Sequence, residues 1–132
     1  MAKLTDAMKE IIGTQLGWIA TVKEDGTPNI GPKRSCRVYD DETLIFNENT
    51  AGEIMKNIKR GSKVAVGYAN WEKLDGYRFT GTAEVHTEGK YYDEAVAWAV
   101  GKMGVPKAAV VIKIEEIYTL KSGPTAGTKI SE

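Results

Sequence analysis

The sequence predicts a mainly β protein of the α+β class, a six-stranded antiparallel barrel with short helices over its openings. Three observations carry this reading. Short apolar or alternating runs recur along the whole chain, bounded by Asp-Gly and acidic turn signals. Helical patterns are few and brief. The first three strands follow one another with no helix between them, which a doubly wound parallel sheet would require. The sequence also lacks Gly-x-Gly-x-x-Gly, the P-loop pattern and a Gly-x-Ser-x-Gly elbow.

The elements follow in order. Thr5 and Asp6 start a first helix with Met8, Ile11 and Ile12 on one face and Gly13 or Gly17 as its stop. Trp18, Ala20 and Val22 alternate with Ile19 and Thr21 in a first strand, and Glu24-Asp25-Gly26 turns the chain. A second strand spans residues 29–38. Asp40-Asp41-Glu42 turns it into a third, Leu44-Ile45-Phe46. A second helix takes residues 52–59 with Ile54, Met55 and Ile58 inward and Gly61 ending it. A fourth strand covers residues 63–69. A fifth runs over residues 77–87 with a bulge or bend at Gly81. A third helix covers residues 91–103, and Pro106 separates it from a strongly apolar sixth strand, residues 108–114. Residues 1–132 form one domain, of which 121–132 read as a mobile tail.

Composition narrows the function classes. The chain has 18 Lys and Arg against 18 Asp and Glu, so it has no net charge and is not a general nucleic-acid binder. One cysteine, Cys36, rules out an internal disulfide framework and a cysteine-based zinc site. No apolar run approaches membrane-spanning length and the N-terminus lacks an apolar signal core, so a cytoplasmic protein without membrane contact is expected.

The chemistry concentrates between residues 29 and 68. Lys33, Arg34, Ser35 and Arg37 lie in the second strand, and Asn47, Glu48, Asn49 and Thr50 lead from the third strand into the second helix. Cations and hydroxyls brought to that segment are the groups that hold a phosphate. Alternation puts charge on both faces of the second strand, which is unusual for a central barrel strand. His86 stands alone, and Cys36 reads as a small buried residue despite its neighbour Arg37.

The order of these patterns resembles the FMN-binding split-barrel family related to pyridoxamine 5'-phosphate oxidase. The residues that carry the resemblance are Gly17-Trp18-Ile19-Ala20-Thr21-Val22, Asp25-Gly26-Thr27-Pro28-Asn29 and Pro32-Lys33. They continue in Asp40-Asp41-Glu42-Thr43-Leu44-Ile45-Phe46, Asn57-Ile58-Lys59-Arg60, Lys63-Val64-Ala65-Val66 and Gly76-Tyr77-Arg78-Phe79-Thr80-Gly81-Thr82-Ala83. The resemblance implies a homodimeric split barrel with FMN at the subunit interface. It implies that Lys33, Arg34, Ser35, Asn49 and Thr50 hold the phosphate, and that Phe46, Asn47 and Glu48 lie along the ribityl chain or ring edge. Trp71, Trp98 and the segment to Lys107 are implied as contributions of the partner subunit. An apolar surface from residues 108–114 with Trp71, Trp98 and Tyr91 is expected to drive the dimer.

Two departures bear on activity. The helix start Thr50-Ala51-Gly52-Glu53 lacks the lysine or arginine that many relatives place there, and the C-terminal KSGPTAGTKISE has no arginine or histidine to grip pyridoxamine phosphate. The function expected is an FMN-dependent oxidoreductase acting with an unknown small substrate or electron donor, and not on pyridoxamine 5'-phosphate. The alternatives are a non-catalytic FMN carrier, or a deazaflavin- or heme-binding protein of the same fold. No catalytic residue and no metal site is assigned.

Overall fold

Each strand pattern finds its partner in one antiparallel sheet. The computed structural model describes residues 2–130. In chain order its elements are α1 (Asp6–Thr14), β1 (Gly17–Val22), β2 (Pro28–Lys33), β3 (Arg37–Asp40), β4 (Thr43–Glu48), α2 (Glu53–Lys59), β5 (Val64–Asn70), β6 (Asp75–His86), α3 (Lys90–Ala99) and β7 (Ala108–Thr119). The sheet order is β2-β1-β5-β6-β7-β4-β3, and every pairing is antiparallel.

Seven strands form where six are expected, because the run over residues 29–38 breaks at Arg34-Ser35-Cys36. The Cys36 amide donates to the Lys33 carbonyl at 3.1 Å, closing a turn. The Ser35 hydroxyl accepts from the Asn47 amide at 2.9 Å and donates to the Asn47 carbonyl at 3.3 Å. A side chain thereby takes the place of a ladder partner on β4. The two-faced charge of this run is thus the mark of a turn, not of a strand. The strands on either side, β2 and β3, are the two edges of the sheet. Three residues can span only about 10 Å, so the sheet must curl until its edges meet at this turn. No ladder joins β2 to β3 among the described residues, which leaves the barrel split beyond that point.

The core lies inside the curl. Ile19, Leu44, Phe46, Val66, Tyr68, Phe79, Val110, Ile112 and Ile114 are fully or almost fully buried there, with Met8, Ile11 and Ile12 of α1 packed against them. Thr5 caps α1 by accepting from the Met8 amide at 3.3 Å. Gly13 falls within this helix, which ends at Thr14. α2 begins one residue later than expected, with Gly52 at its cap, and buries Asn57, whose amide group donates to the Thr21 hydroxyl at 3.0 Å. All six residues of β4 are buried. Its inner face joins the core, while Ile45 packs outward with Ala109 and Val111 of β7 beneath Ala95 of α3.

β7 is longer than expected and central, paired by β6 on one side and β4 on the other. Residues 108–112 and Ile114 have no exposure. The expectation that this segment offers apolar surface to a partner subunit is therefore corrected: it spends its hydrophobicity inside the protomer. The expected bulge is present, with a register shift between Thr80 and Gly81. α3 stops at Ala99, short of the expected Met103. Val100 turns extended and Gly101 adopts a positive φ of 77°, and Gly104 and Pro106 follow in a stretch of poor helix formers. Residues 117–130 fold back on themselves: the Thr119 amide donates to Thr128 and the Ile130 amide to Ile117. Among the described residues no helix is long and apolar enough to cross a membrane.

Candidate functional site

The turn that joins the sheet edges opens beside the end of β4. Between them lies a cleft of about 490 Å³ lined by Leu16, Pro32, Lys33, Arg34, Ser35, Asn47, Asn49, Thr50 and Met103. Six of the ten residues selected from sequence meet there: Lys33, Arg34, Ser35, Asn47, Asn49 and Thr50. This is a direct consequence of topology, since β2 ends at the turn and β4 ends opposite it.

The six play different parts. Arg34 is exposed and makes no hydrogen bond or ion pair among the described residues. Lys33 is committed: its Nζ lies 3.0 Å from Glu48 Oε1 and donates to Oε2 at 3.2 Å. Ser35 is buried and tied to the Asn47 backbone. Asn47 donates through Nδ2 to the Ala95 carbonyl at 2.9 Å and accepts from the Arg37 guanidinium, so it pins α3 to β4. Thr50 turns its hydroxyl toward Glu48 at 3.0 Å. Asn49 Oδ1 is shielded from solvent and has no hydrogen-bond partner among the described residues.

Glu48 is the pivot of this arrangement. Its side chain has no exposure. Oε2 accepts from the Thr50 amide at 3.1 Å, the Thr50 hydroxyl at 3.0 Å and the Ala51 amide at 2.9 Å, besides Lys33. Burial alone raises the carboxyl. The Lys33 hydrogen bond and charge, the Ala51 amide and the Thr50 hydroxyl outweigh it and hold the group below its ordinary value. Glu48 stays ionised and occupies donors that the sequence suggests for a phosphate.

The remaining candidates lie elsewhere. Phe46 is fully buried in the core, and the Lys33 ammonium lies 5.6 Å from its ring centre. Trp71 sits on the β5–β6 loop, 84% exposed, and does not line the cleft. Trp98 is half-buried on α3 with Arg37 Cζ 4.2 Å from its ring centre. The residues not selected from sequence are Leu16, Pro32 and Met103 on the cleft wall, and Arg37 with Glu94 behind it. Arg37 pairs with Glu94 on α3 and donates to the Ser35 carbonyl, bracing the turn without itself lining the cleft. Its place in the basic run was a usable signal; nothing in the sequence singles out Glu94 or Met103.

Cys36 and Tyr68 are structural. The Tyr68 hydroxyl donates to the Cys36 carbonyl at 3.1 Å. Burial pushes the Cys36 thiol up to about 11, despite nearby Tyr68 and Arg37, so it is a neutral thiol. His86 rests against Tyr91 and Glu84, outside the cleft. No cluster of His, Cys, Asp and Glu able to hold a metal occurs among the described residues.

Comparison with known proteins agrees with this architecture. The chain is 52% identical to the HupZ protein of Group A Streptococcus, whose crystal structure superposes with a TM-score of 0.88 over 94% of this chain and 99% of that one. A candidate pyridoxamine 5'-phosphate oxidase from Lactobacillus delbrueckii is 39% identical, with a TM-score of 0.79 over 88% of this chain and 93% of its own. An uncharacterised protein of Methanocaldococcus jannaschii is 40% identical across 100% of this chain and 91% of its own length. An FMN-binding protein from Syntrophomonas wolfei shares the fold with a TM-score of 0.75 at 19% identity, over 89% of this chain and 86% of that one. Because the family model for pyridoxamine 5'-phosphate oxidase also matches residues 4–121, the whole sheet and all three helices, the chain belongs to that family.

Proposed function

We propose that this chain is an FMN-binding flavoprotein that passes hydride or electrons between its cofactor and a small molecule. The observation that carries the reading is the cleft at the β2–β3 turn, with Arg34 unpaired at its wall and Asn49 Oδ1 lacking a donor beside it. These residues fit the cofactor. An unpaired guanidinium suits a terminal phosphate, and an orphaned acceptor suits a ribityl hydroxyl. Arg34 would hold the phosphate with Lys33 behind it, and Asn49 with Thr50 would orient the chain of hydroxyls.

When bound, FMN supplies the redox chemistry, and the protein supplies binding and orientation. The cleft wall has no histidine, cysteine or carboxylate, so proton transfer by a side chain is not part of the proposal. Its only cations are Arg34 and the Glu48-paired Lys33. No second clamp is left for a phosphorylated substrate, and pyridoxamine 5'-phosphate is not the proposed substrate. A cytoplasmic homodimer is part of the reading. Trp18, Ala20 and Val22 of β1 lie opposite Pro32, Ile30 and Pro28 of β2 on one outer, exposed to half-exposed face. Pro32 belongs to both that face and the cleft wall, so a partner covering the face would also border the ligand.

The test is the absorbance spectrum of the purified protein, with extraction and mass analysis of any chromophore. Flavin bands and extracted FMN, or their appearance on incubation with FMN, are expected. A protein that takes up no flavin overturns the reading, and a heme or deazaflavin spectrum replaces it. Steady turnover of a reduced nicotinamide with an electron acceptor then separates an enzyme from a carrier. Pyridoxal phosphate formation near one per second, an ordinary enzymatic rate, would overturn the substrate assignment.

A further inference from the structure

We propose that Glu48 is a specificity-determining residue that sets how strongly the cleft distinguishes a phosphorylated ligand from its unphosphorylated form. The inference rests on the flavin reading of the cleft but concerns its charge. A phosphate needs cations and N–H or O–H donors. Four donors at or beside the cleft wall, Lys33, the Thr50 and Ala51 amides and the Thr50 hydroxyl, converge on one Glu48 oxygen. That oxygen belongs to a carboxylate with no exposure, held among its partners by burial. The protein thus carries its own anion where a ligand phosphate would otherwise be received. Lys33 is neutralised, the two amides are satisfied, and a dianion brought close would meet the Glu48 charge across a partly desolvated wall. Arg34 is the one cation of the lining left without a carboxylate partner among the described residues, and so the one to recognise a terminal phosphate.

Several properties follow. The wild-type cleft should prefer FMN over riboflavin only weakly, by less than about tenfold, the scale of one exposed charge-assisted contact. Removing the Glu48 charge while keeping its shape should free Lys33 and raise affinity for the phosphorylated ligand alone. Removing Arg34 should abolish what preference exists. Arg34 has no partner to orphan, so its loss should leave riboflavin binding unchanged.

The experiment is a titration of the full-length protein with FMN and with riboflavin, following flavin fluorescence, for the wild type, Glu48→Gln and Arg34→Ala. The wild type is expected to bind both within about tenfold. Glu48→Gln is expected to tighten FMN about tenfold while moving riboflavin less than about twofold. Arg34→Ala is expected to equalise the two ligands. A wild-type preference for FMN above about a hundredfold would overturn the proposal, and so would Glu48→Gln weakening both flavins equally. The wild-type ratio needs no variant to fold.

A second arm is independent of flavin. Inorganic phosphate is titrated at millimolar concentration while the amide resonances of Thr50 and Ala51 are followed. They should stay in place in the wild type and shift in Glu48→Gln. Wild-type amides that move with phosphate would overturn the role of Glu48 whichever ligand the cleft takes. Absence of flavin binding with the amide pattern as expected would overturn the flavin reading and uphold Glu48 as the occupant of these donors.

Discussion

The Glu48 carboxylate has no exposure, yet three loop donors and one ammonium keep it charged. Its folded-state carboxyl lies below the ordinary value of 4.5, since Lys33 and the loop donors outweigh the burial that would raise it. A depressed carboxyl stabilises the fold above its unfolded value, and that contribution disappears as pH falls through the folded value. Glu48→Gln should therefore lower unfolding free energy by about 2 kcal/mol near neutral pH, the scale of hydrogen bonds to a charged group. The gap between variant and wild type should hold down to about pH 5 and narrow below about pH 4. Urea unfolding at a series of pH values reads this directly. A gap independent of pH would mean that the side chain acts through shape, not charge. By the same pairing, Lys33 serves the fold before it serves a ligand, while Arg34 beside it is free; adjacent basic residues in one tripeptide have opposite commitments because the turn points them differently.

At the scale of elements, β6 and β7 form the longest ladder, and its one irregularity is informative. The register shifts between Thr80 and Gly81. A Cβ built on Gly81 would stand 1.9 Å from the Lys113 carbonyl oxygen and 2.9 Å from its carbon. Backbone, unlike the end of a flexible side chain, cannot step aside cheaply, so Gly81 permits a close approach that bends both strands around the core. Gly81→Ala should cost about 3 kcal/mol or more, at the upper end of point substitutions. A thermal melt of the variant checks this, and a change below about 1 kcal/mol would show that the ladder can relax. The break at Arg34-Ser35-Cys36 is the complementary device. A serine hydroxyl bonded to the β4 backbone replaces a ladder step, and the interruption creates the cleft.

The whole molecule has an unmatched apolar face. Ile30 is 64% exposed, with Val22 at 47% and Trp18 at 44%. They share that face with Pro28 and Pro32 on the edge strand β2, where prolines also withhold donors from the open edge. An exposed apolar face bordering the cleft is the surface on which we expect a second copy to dock. Sedimentation at micromolar concentration should show a dimer for the wild type. Ile30→Glu should raise its dissociation constant about a hundredfold or more, the equivalent of burying an unpaired charge at a cost near 3 kcal/mol. A monomeric wild type, or a variant that still dimerises equally well, would remove this face from the interface. The sequence points instead to residues 108–114 for that role. They are apolar enough, but they are sheltered between β6 and β4 with α3 above.

By itself the sequence determined the three helices and all the strands but the split of residues 29–38 into β2 and β3. Period-two alternation in Trp18–Val22, the cap at Thr5 and the turn at Gly26 are local signals, set by residues within a few positions of one another. It also pointed to two short stretches, residues 33–35 and 47–50, whose members line the cleft. Tertiary structure alone decided their commitments. Whether Lys33 faces a ligand or Glu48 depends on a contact fifteen residues away, and whether Arg37 lines the cleft or braces α3 depends on Glu94, fifty-seven residues away. Burial decided the rest: strand order put the apolar β7 inside the sheet and left Ile30 of β2 exposed at its edge. Charge pairing and exposure are set by such long-range neighbours, and local patterns carry no record of them.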